Sequence, residues 1–194
     1  MARNKRDAER AKQAILDAVV RELCEKSGKT VTVEAVAKRS DHAKGLVLYH
    51  YKTKQNLFEA AGRVLADQRA ARWTAAFSAK TPTDAIDRTW EILTEESKEG
   101  VALAWASLLS PNGNLSDPMV KEISEGFARA LGQAGVRLFK ALGTAPRVGE
   151  VELGWLLSAI VTGVEAALLS GADSEVVNGA YTAAWLGVLS LARS

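Results

Sequence analysis

Between Val33 and Phe58 the sequence runs VEAVAKRSDHAKGLVLYHYKTKQNLF, and this segment concentrates the chain's polar chemistry. Tyr49, His50, Lys52 and Lys54 interleave aromatic and basic groups, giving hydroxyl, imidazole and ammonium donors suited to phosphate. Lys44 and Gly45 open a short apolar-patterned stretch, and Gly45 lets a backbone approach another surface closely. Lys54 falls in the first turn of the next expected helix, where a cation opposes the macrodipole, so helix stability does not explain it. Amides at a helix N-terminus together with that lysine make an anion site.

The elements that must position these groups are short helices joined by tight turns. Ile15, Leu16, Val19 and Leu23 recur at helical spacing, predicting a first helix over residues 7–26 that Ser27-Gly28 stops. Arg3, Lys5 and Arg6 precede it as a flexible basic arm. Thr32 caps a second helix with Glu34 in its first turn. Ser40-Asp41-His42-Ala43 forms the turn, and a third helix spans 44–51. Thr53 then caps a long fourth helix through Leu57, Phe58, Ala61, Val64 and Leu65 to about Phe77. Three short helices with a basic third one follow the helix-turn-helix plan, in which the third helix points its N-terminus at base edges.

On these residues the segment resembles the DNA-binding domain of TetR-family transcriptional regulators. Their pattern runs Thr-Val-x-x-Ile-Ala, a turn, then Lys-Gly-x-Leu-Tyr-Tyr-His-Phe-x-x-Lys-x-x-Leu. Here it reads Thr32-Val33-Glu34-Ala35-Val36-Ala37, then Lys44 through Leu57. The resemblance implies that Thr32, Tyr49 and Lys54 contact phosphate, that Lys44 and Gly45 face the groove, and that His50 reaches backbone or base. Val47 and Tyr51 belong to the core. Three positions depart from the pattern. Asp41 replaces the turn glycine and tolerates a left-handed conformation. Leu46 stands for a small polar residue and Leu48 for the first tyrosine. At those two sites lost hydroxyls are replaced by apolar side chains that can meet a thymine methyl.

Charge agrees with this division. Residues 1–54 hold 13 Lys and Arg against 7 Asp and Glu, whereas the whole 194-residue chain carries only +2. A basic first quarter on an acidic remainder suits a polyanion partner. The single cysteine, Cys24, excludes an intramolecular disulfide and a cysteine-based zinc site. The two histidines, His42 and His50, leave no metal spacing, and no glycine-rich phosphate loop is present. Ser40-Asp41-His42 contains triad residue types, but adjacent residues cannot take up triad geometry, so no catalytic residues are expected. No cofactor or metal is expected either.

The composition, with four prolines and abundant Ala, Leu, Glu, Lys and Arg, predicts an all-α fold of about nine helices. A helix-turn-helix module over 1–54, continuing into the start of the fourth helix, precedes a helical domain over 55–194. If the resemblance holds, the second domain binds a small-molecule effector and a second copy of the chain. Ile86, Trp90 and Leu93 mark a fifth helix ended by Gly100, the almost entirely apolar run Val101–Leu109 must be buried, Ser110-Pro111-Asn112-Gly113-Asn114 is a loop, and further helices are expected at 117–143, 150–170 and 174–192. The helix at 150–170 is apolar on nearly every side, which requires cover on every side. Small residues repeat every four positions at Gly154, Ser158, Thr162, Ala166 and Ser170, and again at Gly179, Ala183 and Gly187. Such rows permit close helix packing, within one chain or in a homodimer through the last two helices.

Candidate lining residues for a ligand pocket are Trp73, Phe77, Trp90, Trp105, Phe127 and Trp155, each of which also suits a core position. Glu165 is a lone carboxylate in the apolar helix. It anchors a cationic or hydrogen-bonding ligand, or it makes a structural pair. No secretory signal is visible, and the run Leu153–Leu169 reads as a buried helix rather than a membrane span. The expected protein is a cytoplasmic, homodimeric, ligand-responsive regulator of double-stranded DNA, with no membrane partner. The competing reading is a helical ligand-binding or interaction protein whose DNA module has degenerated.

Overall fold

The computed structural model describes residues 2–26, 30–79, 81–110 and 113–193. These form nine helices: α1 (Ala2–Glu25), α2 (Val33–Arg39), α3 (Lys44–Tyr51), α4 (Lys54–Ala76), α5 (Pro82–Lys98), α6 (Val101–Leu109), α7 (Asp117–Ala141), α8 (Glu150–Leu169) and α9 (Ser174–Leu189). The all-α expectation holds. The stop at Ser27-Gly28 and the Pro111-Asn112 part of the loop lie outside the described residues.

At the N-terminus the structure corrects the expected start of the first helix. Helix α1 begins at Ala2 rather than at residue 7, so the backbone of the basic arm is helical. Its sequence, Ala-Arg-Asn-Lys-Arg-Asp-Ala-Glu-Arg, contains no breaker and is rich in good helix formers.

The chain divides into two compact units. The first comprises Met1–Leu65 with Leu103–Ile123, and the second Ala66–Ala102 with Ser124–Ser194. These units do not follow a single cut between residues 54 and 55. Helix α4 runs on without a break at that point, and its first three turns bury Leu57, Phe58, Ala61 and Leu65.

In the first unit α1, α2 and α3 pack on one another. They bury Ile15, Val19 and Leu23 from α1, Val36 and Ala37 from α2, and Val47 and Tyr51 from α3. The Tyr51 hydroxyl donates to the carbonyl of Lys12 at 3.0 Å, tying α3 to α1. Glu22 is buried beside them and accepts from Lys26 Nζ at 2.8 Å and from Arg39 Nε at 2.6 Å. The Lys26 hydrogen bond, with the Arg39 guanidinium, holds its carboxyl below the usual range against the opposing effect of burial.

The second unit is organised around α5, α8 and α9, which contact one another pairwise. Helices α7 and α8 cross at paired glycines. A Cβ placed on Gly154 would lie 2.2 Å from the carbonyl oxygen of Ala128, and one on Gly132 would lie 2.3 Å from that of Glu150. Only hydrogen fits at such a crossing. Past α9 the chain returns to the segment after α7. Arg147 N–H donates to Leu191 C=O at 2.7 Å, and Arg193 N–H donates to Ala145 C=O at 2.8 Å.

Candidate functional site

The turn before α3 is set by backbone hydrogen bonds. Asp41 has φ of 56°, in the left-handed region, where a glycine is usual. His42 N–H bonds to Ala37 C=O at 3.0 Å, and Asp41 N–H to Lys38 C=O at 3.4 Å. This is the Schellman arrangement, and it supports the expectation that aspartate preserves the turn. The Thr32 side chain caps α2, accepting from Ala35 N–H at 3.1 Å; its hydroxyl proton remains available for a further bond.

Helix α3 has one inner and one outer face. Val47 and Tyr51 are buried, Leu46, Leu48 and His50 are half-buried, and Lys44, Gly45 and Tyr49 are exposed. Tyr49, 69 % exposed, is among the chain's most exposed large apolar residues. A Cβ built on Gly45 meets nothing within 4 Å. Internal packing therefore does not require glycine there, whereas close approach of an outside surface would use it. The Lys44 ammonium is ion-paired with Glu34, across the turn on α2. That hydrogen bond is the main reason the Glu34 carboxyl sits below its ordinary range.

Helix α3 leads into α4 through a γ-turn. Lys52 has φ of 64° and ψ of −50°, and Thr53 N–H donates to Tyr51 C=O at 2.7 Å. This conformation is rare and strained for a side-chain-bearing residue. It places Thr53 to cap α4, accepting from Asn56 N–H at 3.0 Å. The Lys52 ammonium lies 5.1 Å from the Tyr49 ring centroid, and that of Lys54 lies 5.1 Å from the Phe58 ring centroid. Two ammonium groups, the Thr53 hydroxyl and the free amides of α4 thus meet at one short stretch of surface, an arrangement fitted to phosphate.

The residues expected to line a ligand pocket are divided between the two units. Trp105 is buried in the first unit, whereas the others belong to the second. Phe77 is buried against Trp185, their ring centroids 5.6 Å apart, and half-buried Trp90 packs at 5.6 Å on Tyr181. Trp155 is 47 % exposed and borders a surface hollow of about 170 Å³ with Glu125, Ala128, Arg129, Glu150 and Val151. That volume is below the roughly 300 Å³ at which ligand pockets for drug-sized molecules begin. Trp73, Phe127 and Glu165 do converge, around two residues that sequence reasoning did not single out, Arg69 and Glu96. Both lie on the apolar faces of their helices, Arg69 four residues after Leu65 and four before Trp73, and Glu96 three after Leu93. A charged residue in such a row was a visible signal.

The small-residue row of α8 also divides. Gly154 is buried at the α7 crossing, Ser158 is half-buried, and Thr162, Ala166 and Ser170 are exposed. A step of four residues turns a helix by about 40° beyond a full revolution, so the row winds from core to surface. Val151, Trp155, Leu156 and Leu169 of α8 and Val176 and Leu186 of α9 are exposed. Cover of α8 on every side is therefore not reached within one chain. By length and composition α8 would suffice to cross a membrane, but it carries the buried Glu165.

The first unit is a helix-turn-helix module with its third helix outward. Residues 15–61 match the family model of bacterial regulatory proteins, tetR family. Solved structures share the fold across nearly the whole chain. A transcriptional regulator from Rhodococcus sp. Rha1 is 23% identical with a TM-score of 0.70, over 95% of this chain and 97% of that one. A TetR family transcription regulator from Marinobacter aquaeolei VT8 is 20% identical with a TM-score of 0.65, over 99% and 100%. The multidrug binding protein EbrR, solved in complex with imidazole, is 24% identical with a TM-score of 0.59, over 89% and 88%. No curated protein matches the sequence. The N-terminal segment is thus similar to the DNA-binding part of tetR-family regulatory proteins, and the fold of the whole chain is the one these regulators share.

Proposed function

We propose that the protein is a cytoplasmic repressor that binds a near-palindromic operator as a homodimer and leaves it when a small molecule binds the second unit. The exposed face of α3, with Gly45 open between Lys44 and Tyr49, and with Lys54 at the start of α4 just after it, is the observation that carries the DNA-binding part. Thr32, His50, Leu46 and Leu48 complete the proposed contact set, the two leucines through apolar contacts with bases. The dimer reading rests on the exposed apolar residues of α8 and α9, flanked by Gly163, Gly179 and Gly187, whose Cβ positions meet nothing within 4 Å. Such a face is covered when a second copy packs against it. The imidazole complex of the multidrug-binding relative supports a small-molecule effector. Among Trp73, Phe77, Trp90, Trp105, Phe127, Trp155 and Glu165, the group that converges in the second unit is Trp73, Phe127 and Glu165. Ligand and DNA then oppose each other by equal coupling free energies.

Gel shifts at several salt concentrations test the DNA-binding part. Lys54→Ala is expected to weaken binding on every duplex and to reduce the salt slope by about one unit, whereas Lys44→Ala also changes sequence preference. Unchanged binding in both variants would return the chain to the competing reading, a helical binding protein with a degenerate module.

A further inference from the structure

Three ionisable side chains are buried on one another in the second unit. Arg69 of α4, Glu96 of α5 and Glu165 of α8 are 1 %, 0 % and 4 % exposed. Arg69 donates from Nε and Nη2 to one oxygen of Glu96, at 3.0 and 2.7 Å, and from Nη2 also to Glu165. Trp73 Nε1 donates to the same Glu96 oxygen at 3.3 Å, and the guanidinium lies 4.9 Å from the Phe127 ring centroid.

Two carboxylates therefore face one guanidinium. With all three charged, the cluster holds a net charge of −1 away from water, which is costly. Among the described residues, Arg69 is the cation ion-paired with both carboxylates, and no second one is seen to pair with either. Arg72, whose field reaches Glu96, lies nearer the surface and donates to Glu95 and Glu99. Helix α7 presents Phe127. Helix α9 brings Tyr181, whose hydroxyl donates to Thr89 at 2.5 Å and whose ionisation burial pushes up to about 12. The other oxygen of Glu96, Oε1, is buried without a hydrogen-bond partner.

We propose that the Arg69–Glu96–Glu165 triad is a proton switch: Glu165 is neutral in the folded core and bonds its proton to Glu96, and loss of that proton loosens α8 from α4 and α5. A protonated Glu165 cancels the excess charge and supplies the donor that the second carboxylate lacks. Burial pushes the Glu165 carboxyl up, Arg69 opposes this, and the charge and hydrogen bond of Glu96 add to it, leaving it at about 7. The folded value lies above the ordinary 4.5 of the unfolded chain. Its contribution to stability is thus complete below about pH 4.5 and is lost as pH rises through about 7.

Thermal unfolding of the wild type and of Glu165→Gln, each between pH 5.5 and 8.5, provides the test. Glutamine keeps a donor but cannot ionise. Relative to the variant, the wild-type unfolding constant is expected to rise by up to about tenfold per pH unit from 5.5 towards 7 and to level off above it. Every other ionisable group is common to both proteins, so the difference isolates Glu165. Equal pH slopes would overturn the proposal. Should the variant fail to fold, carbon NMR of glutamate-labelled wild type decides. One carboxyl must titrate near pH 7, and the Trp73 indole N–H must shift with the same midpoint. If all glutamates titrate below about pH 5.5, the switch does not exist.

Discussion

Lys44 and Glu34 face each other across the helix-turn-helix turn, each about half exposed or more. In the proposed complex Lys44 must leave Glu34 for DNA, so the carboxylate competes with the duplex for the same cation. Glu34→Gln removes the competitor and a local repulsion of phosphate. It is expected to tighten binding to arbitrary duplex by less than about fivefold at low salt, and the gain should shrink as salt screens both terms. Anisotropy titrations at two salt concentrations measure it; weaker binding in the variant would show that Glu34 positions Lys44 rather than restrains it. The α3 surface was legible at this scale because its pattern is local: eight consecutive residues alternate core and surface by helical period alone. The pairing of Glu165 with Arg69 was not, since 96 residues separate the partners and periodicity carries no information about which buried groups meet. The surroundings of Trp105 and Trp155 were not legible for the same reason. An indole is equally at home in a core, at a surface or beside a ligand, and these two lie in a core and at a surface.

Among the elements, α8 shows how one helix serves two packing demands. Its Gly154 lies against Ala128 and Gly132 of α7, while its later small residues turn outward. Gly154→Ala places a methyl group where backbone already lies, and neither helix can yield locally. The expected loss is about 1–3 kcal/mol, the usual cost of overpacking, read as a shift in the denaturant midpoint at constant slope. Gly163→Ala, on the open face, should instead raise monomer stability by about 0.5–1 kcal/mol, the helix-propensity gain of alanine over glycine. Equal losses at both positions would contradict the crossing. The helix boundaries themselves were largely readable, because caps such as Thr32, Thr81 and Asp173 and the left-handed Gly143 and Gly171 mark them chemically. The expected start of α1 failed for the opposite reason: nothing in Ala2–Arg6 caps or breaks a helix.

For the whole molecule the open apolar surface of α8 and α9 is the main energetic question. A tryptophan at the exposed Ala183, in the middle of the small row of α9, should hold two copies apart. Overpacking of about 1–3 kcal/mol is applied twice by two-fold symmetry. Ala183→Trp is therefore expected to raise the monomer fraction in sedimentation and to weaken operator binding, although residue 183 is not in the proposed DNA contact set. A wild type that stays monomeric at micromolar concentration yet binds a palindrome cooperatively would rule this surface out. If the face does pair, the apolar residues left bare on each single chain make regulation a matter of abundance. Well below the dissociation constant the paired form varies with the square of total protein, so halving synthesis removes about three quarters of it. A modest fall in expression, through dilution at cell division or proteolysis of bare monomers, would then switch the regulated gene more sharply than a one-to-one binder could.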